Sequence, residues 1–396
     1  MAIYAQHGYG KTDKIERGLD ARSIEGVVLG PRDEDPDNME RYARDLRRAY
    51  PDAALLFDPQ FYVTTITPVR DGHLQDYDYY TPGLTRASFT SPRNVRNYVR
   101  ATLQYQMRLP VSRLIAPTVM IDDFQDPWSQ IVLSMAQEAR EYHDGLQGVP
   151  PLLLSFVCSE SALAASGPLG EFLDIISGLE VTGFYLVTRR SGSQYQAQME
   201  ENRLENLLYI VYSLATVNEY EVICGYTDLI GILLHGVGVS ATACGWHHSL
   251  RQFSLSRFQP AKGGRPPRPR YTSSRLLNSI LIIPELVNIH QAGVLGEVLS
   301  ATQFDDVLRT RPGQAAWPAD ISVLHHWDAL DDLVTTVQAA RGVRDRLSVL
   351  RRRIGQALVT YSRLADLGVE FEPLSGPDHL EQWDRAIANF RRTANQ

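Results

Sequence analysis

Lysine is almost missing from this 396-residue chain: of its 39 basic residues only Lys11, Lys14 and Lys262 are lysines. A GC-rich coding genome produces such a bias, so the arginines alone carry no functional message, but each lysine becomes conspicuous. Cysteine is also scarce. Cys158, Cys224 and Cys244 are widely spaced and form no CxxC or Cys/His pattern, so neither a disulfide framework nor a zinc, haem or iron–sulfur site is expected. Long apolar runs are missing as well. Those near 229–234 and 280–283 fall far short of the roughly 20 residues that span a bilayer. The opening MAIYAQHGYGKTDK lacks the apolar core of a secretory signal. These absences predict a soluble, cytoplasmic protein with no membrane partner.

Hydrophobic residues make up 44% and charged residues 21% of the chain, which excludes a disordered or collagen-like protein. The net charge of −7 excludes a basic coat over the whole surface but leaves room for a local basic patch.

Eight short apolar runs recur over the first 245 residues, at 2–6, 26–29, 53–57, 114–121, 152–157, 183–187, 221–224 and 240–244. Helical periodicity fills the gaps, as at 36–50, where Met39, Tyr42, Ala43, Leu46 and Ala49 recur at helical spacing. Runs that are apolar throughout fit strands buried on both faces, and helices between them require parallel crossovers. The count and rhythm predict a (β/α)8 barrel of the TIM type. An open doubly wound α/β sheet is the alternative, because periodicity does not separate a closed sheet from an open one. The barrel is expected over 1–292, with an insertion at 60–92 and a basic loop at 246–274. A helical C-terminal appendage over 293–396 follows, a candidate surface for a protein partner. A helix interrupted at Pro284 is expected over 276–292.

In such a barrel, functional groups rise from the strand C-terminal ends and the loops after them. His7, Arg32, Asp58 with Gln60, Asp122, Glu160, Arg189, Tyr226, and Trp246 with His247 occupy those ends in chain order. Asp58, Asp122 and Glu160 are candidates for acid–base chemistry, since facing carboxylates push each other's pKa values apart. Asp58 and Asp122 are equally candidates for Mg²⁺, which takes carboxylate oxygens. The plainer alternative makes these aspartates turn or cap residues beside Pro59 or near Pro127. His7 and His247 follow neighbouring strands of a closed barrel and are candidates for proton transfer near neutral pH.

Residues 5–12, AQHGYGKT, match a P-loop with Ala in place of its first Gly. A P-loop-like NTPase using Lys11 and Thr12 is therefore one alternative function, and Lys11 at a barrel mouth would also suit a phosphate. From Trp246 to Pro284 there is no acidic residue, yet Arg251, Arg257, Lys262, Arg265, Arg268, Arg270 and Arg275 are interleaved with Trp246, Phe253, Phe258 and Tyr271. Basic plus aromatic residues on a loop suit phosphates and stacked bases. The stretch is loosely similar to one in the tRNA-guanine transglycosylases. However, Ala243 stands where their Asp nucleophile is expected beside Cys244, and their Cys/His zinc cluster is absent, so no residue role carries over.

The expected function is an enzyme acting on a phosphate-bearing ligand, a nucleotide or nucleic acid, by hydrolysis or glycosyl- or phosphoryl-type transfer. The catalytic groups would be Asp58, Asp122, Glu160, His7 and His247. The ligand contacts would be Lys11, Arg32, Gln60, Arg189, Tyr226, Trp246, Arg251 and Arg257, with the partner held by the loop over 246–275. The other alternative is a non-catalytic barrel serving as scaffold or sensor subunit of an assembly.

Overall fold

The computed structural model describes residues 2–67, 69–191, 197–259 and 268–396. Eight parallel strands form the centre. They are β1 (Ala2–Gln6), β2 (Gly26–Leu29), β3 (Ala54–Phe57), a split β4 (Leu114–Ile115 and Met120–Ile121), β5 (Leu152–Ser159), β6 (Gly183–Arg189), β7 (Glu221–Gly225) and β8 (Ala241–Cys244). Pro117 falls in the gap of β4, where a residue with no N–H cannot extend the ladder. The order around the sheet is β3-β2-β1-β8-β7-β6-β5-β4. The remaining seam is joined by Ser112 N–H donating to the Leu55 carbonyl at 2.7 Å and Leu55 N–H donating to Ser112 Oγ at 3.0 Å. The sheet is thus a nearly closed (β/α)8 barrel, as expected, and not an open doubly wound sheet.

Seven helices alternate with the strands: α1 (Lys14–Asp20), α2 (Pro36–Ala49), α3 (Pro92–Gln106), α4 (Trp128–Asp144), α5 (Ser166–Ser177), α6 (Glu201–Tyr212) and α7 (Gly231–Gly236). α2 shows why they form. Asp35 caps it by accepting from Asn38 N–H, Pro36 opens it, and Met39, Ala43 and Leu46 bury its inner face. The helix ring is completed late, by α8 (Ala319–Gln338), which packs on β1, α1 and α7. Trp327 of α8 donates its ring N–H to the Cys244 carbonyl and sits against Gly18, where a Cβ would come within 2.9 Å of it. α9 (Gly342–Asp366) and α10 (Asp378–Thr393) follow, and α10 lies against α6 through Phe390 on Tyr212.

One local expectation fails. Residues 270–281 form an antiparallel hairpin, β9 (Arg270–Ser273) with β10 (Asn278–Leu281), and helical structure follows only after it, as a kinked π-helical turn over Ile282–Leu286 that runs into a short helix over Val287–Gln291. Short apolar runs do not separate strand from helix by periodicity. The hairpin is fixed from outside its own sequence: His325 and His326 of α8 meet the carbonyl and hydroxyl of Thr272 at 2.8 and 2.9 Å. No helix among the described residues is long and apolar enough to cross a membrane.

Inside the barrel, side chains stack in layers. Tyr4 lies near the floor, where Arg113 Nε meets Glu221 Oε2 at 2.8 Å. The two-residue period of a strand puts Gln6 on the same inward face one layer higher and turns His7 outward.

Candidate active site at the barrel mouth

The C-terminal end of the barrel is built around Asp58, which follows β3 and is 1% exposed. Its Oδ2 accepts from the Tyr62 hydroxyl at 2.9 Å and the Tyr185 hydroxyl at 3.3 Å, and its Oδ1 accepts from Gln60 N–H at 3.0 Å. Burial pushes the Asp58 carboxyl up to about 6, against the pull of those three hydrogen bonds. Tyr185 reaches Asp58 because Gly225 faces it from β7: a Cβ there would lie 2.2 Å from the phenol oxygen.

Two strand ends close the ring. Gln60 Nε2 donates to the Tyr226 hydroxyl at 2.8 Å. Both residues hold left-handed backbone, with φ of 51° and 54°. For non-glycine residues that costs of order 1 kcal/mol each, and such strain concentrates at working sites. Gln6 adds an amide whose nitrogen and oxygen are both buried with no hydrogen-bond partner among the described residues.

The segment after β8 covers this cluster. Phe253 is fully buried with its ring 5.2 Å from Tyr62 and 5.3 Å from Tyr226. The segment is tied down by Arg190 N–H donating to the Phe253 carbonyl and Arg70 N–H donating to the Phe258 carbonyl. Arg257 lies below Phe258, over the Tyr226 ring, and forms a buried ion pair with Asp33, which also takes Arg32 at 2.6 Å. Burial alone would raise the Asp33 carboxyl, but Arg257 and Arg32 prevail and hold it below the usual range.

Asp58, Gln60, Tyr226 and Arg257 of the expected set therefore converge, with Arg32 beside them. The others do not. Glu160 is engaged by Arg190 at 2.7 Å and Arg203 at 3.4 Å. Burial would raise its carboxyl, yet Arg190 and its hydrogen bonds with Ser191 hold it low, the opposite of a proton donor. Asp122 is exposed at the rim and paired with Arg189 at 2.8 Å. With both Asp58 oxygens already accepting and Asp122 held by Arg189, the pair does not form the expected Mg²⁺ site.

His7 is turned to the helix layer, its ring 5.9 Å from Tyr42 and its Nε2 3.8 Å from Glu34, and burial pushes it down to about 4. His247 lies exposed at the rim, and Trp246 donates to the Tyr9 carbonyl at 2.7 Å. The two histidines are not brought together. Lys11 is committed to Glu34 and to the Tyr42 face at 4.8 Å, so the P-loop reading is corrected. Tyr62, Tyr185 and Phe253 are the cluster members that the strand-end rule missed.

The basic stretch is also corrected. Arg251 donates to the Gly245 carbonyl at 2.9 Å, Arg257 pairs with Asp33, Arg268 and Arg270 pair with Glu372, and Arg275 donates to the Leu299 carbonyl at 2.9 Å. Lys262 and Arg265 lie outside the described residues. Within this run Arg257, Arg268 and Arg270 meet acids from distant segments, Asp33 and Glu372, while Arg251 and Arg275 donate to backbone carbonyls.

No family model and no curated protein matches the chain. Among solved structures it is similar to an intracellular xylanase from Thermoanaerobacterium saccharolyticum, at 11% identity over 67% of this chain and 90% of that chain, with a TM-score of 0.37. The expectation of an enzyme for a phosphate-bearing nucleotide or nucleic acid is withdrawn: Lys11, Arg32, Arg189 and Arg257, cations meant for a phosphate, are paired in turn with Glu34, Asp33, Asp122 and Asp33.

Proposed function

We propose that the barrel mouth is a proton-transfer centre for a small, uncharged, hydroxyl- or carbonyl-bearing ligand. Asp58 gives or takes the proton. Gln6, Gln60 and Tyr226 orient the ligand through amide and phenol hydrogen bonds, and the 245–259 segment is its cover. The observation that carries this reading is the Asp58 carboxyl itself, fully buried, pushed up to about 6 and touched by two phenols, Tyr62 from the turn after β3 and Tyr185 from within β6. A group poised near neutral pH exchanges protons most effectively. The described cations beside the cluster, Arg257 and Arg32, are both engaged by Asp33, and the hydrogen-bonding groups of the cluster are amides and phenols, which suits a neutral ligand. Aromatic faces of Tyr62, Tyr226 and Phe253 suit its C–H surface.

Saturation-transfer NMR of the full chain against neutral polyols, simple sugars and amides, with their phosphorylated and carboxylated analogues, tests this. Neutral members are expected to bind, and Tyr226→Phe to weaken them about tenfold, the worth of one lost hydrogen bond. Binding confined to charged members, or unaffected by Tyr226→Phe, would sink the reading.

A further inference from the structure

Beside the mouth, and sharing Gly225 and Tyr226 with it, lies a cavity of about 30 Å³ walled by Met199, Leu207, Cys224 and Leu234 on one side. Arg251, Gln252 and Asp228 form its polar side. Two features there lack an explanation. Arg251 is only 6% exposed, yet no carboxylate lies within 4.0 Å of it among the described residues. Its Nε is used on the Gly245 carbonyl, and its terminal nitrogens make no hydrogen bond among the described residues. Beside it the Gln252 amide nitrogen is buried without a partner, in a side chain 8% exposed. Buried arginines are rare unless paired, and an unmet buried donor is costly.

The neighbouring groups do not supply the missing acceptor. Arg190 is taken by Glu160 at 2.7 Å. Asp228 accepts from Leu229 N–H at 2.8 Å and faces His326 Nε2 at 3.5 Å; burial raises its carboxyl against the pull of Arg251, but it forms no ion pair with Arg251 within 4.0 Å. Thr227 donates to the Ala243 carbonyl at 3.3 Å. What is wanted is a planar group with two acceptor oxygens and one negative charge. Arginine forks match that geometry, and about 30 Å³ is about two waters' worth of space.

We infer that this cavity is a binding site for a small carboxylate, whose oxygens accept from Arg251 and Gln252 while its carbon end meets the Leu207–Leu234 wall. The site adjoins the Asp58 cluster at Gly225 and Tyr226, but its polar anchors, Arg251 and Gln252, are not members of that cluster. Arg251 and Gln252 immediately precede Phe253, so an occupant holds the cover of the mouth in place.

Sodium acetate is the probe, set against equal concentrations of sodium chloride, acetamide and inorganic phosphate on the full chain. Acetate alone is expected to raise the melting midpoint, by about 2 °C at ten times its dissociation constant, and to slow hydrogen exchange over 250–259. Gln252→Glu places a carboxylate beside Arg251 and is expected to abolish the acetate response. Gln252→Leu, which keeps the volume, is expected to weaken acetate about tenfold. A wild-type response equal for acetate and chloride, a larger response to acetamide or phosphate, or an acetate response that survives in both variants overturns the inference. The wild-type comparison decides even if a variant fails to fold.

Discussion

Asp58→Asn is expected to make the protein more stable at pH 8 and leave it unchanged at pH 4. Burial raises the Asp58 carboxyl from its ordinary 3.8 to about 6. The folded state therefore favours the protonated form. That preference is fully present below the unfolded value and is lost as pH rises through 6. Above that, the ionised buried carboxylate counts against the fold by roughly 3 kcal/mol, the equivalent of a shift of about two pH units. Asparagine removes the charge and keeps the hydrogen bonds: its oxygen accepts from Gln60 N–H, and its amide donates to the phenols of Tyr62 and Tyr185. The melting temperature of the variant is expected to exceed wild type by about 5 °C at pH 8. Thermal melts of both proteins from pH 4 to 8 check this. A constant difference across that range would mean that the Asp58 carboxyl titrates like an exposed one. A residue that weakens its own fold is what a working site permits.

The largest loss is expected from Arg257→Leu. Arg257 is buried on Asp33, and its guanidinium lies over the Tyr226 and Phe258 rings at 5.9 Å. Breaking a buried pair leaves the other charge stranded, at a cost of about 3–5 kcal/mol. Arg32 at 2.6 Å relieves part of that for Asp33, which sets the expectation at the lower end. Arg257→Lys is not expected to rescue, since an ammonium has neither the planar fork nor the ring-stacking face. A double-mutant cycle with Asp33→Asn isolates the pair from the packing. Denaturant melts showing a loss below about 1 kcal/mol would place the pair with exposed ion pairs and remove it as the anchor of the cover.

The barrel was legible because its strands are buried on both faces. GVVL, GFYLV and ATAC read as unbroken apolar runs, and each becomes a strand of the parallel sheet. The hairpin at 270–281 was not legible: its polar face is completed by His325 and His326, and no local pattern announces partners more than 50 positions away. The site was half legible. Asp58, Gln60 and Tyr226 stand at strand ends, where barrel geometry says to look. Tyr185 sits inside a strand and reads as core. The available signal was a phenol in a parallel strand, which needs a hydroxyl partner when buried, but nothing in the sequence pairs it with Gly225 and Asp58. The basic stretch misled for the same reason. Its charge adds up along the chain, whereas Asp33 and Glu372, which neutralise it, arrive only through the fold.

The central claim is that Asp58 is a sealed proton-transfer group. It is tested most directly by following the side-chain ¹³C carboxyl resonance of Asp58 through a pH titration, assigned by its loss in Asp58→Asn. A midpoint near 6, moving down toward 4 in Phe253→Ala as the cover is opened to water, is the predicted result. A midpoint near 4 in the wild-type chain would contradict it.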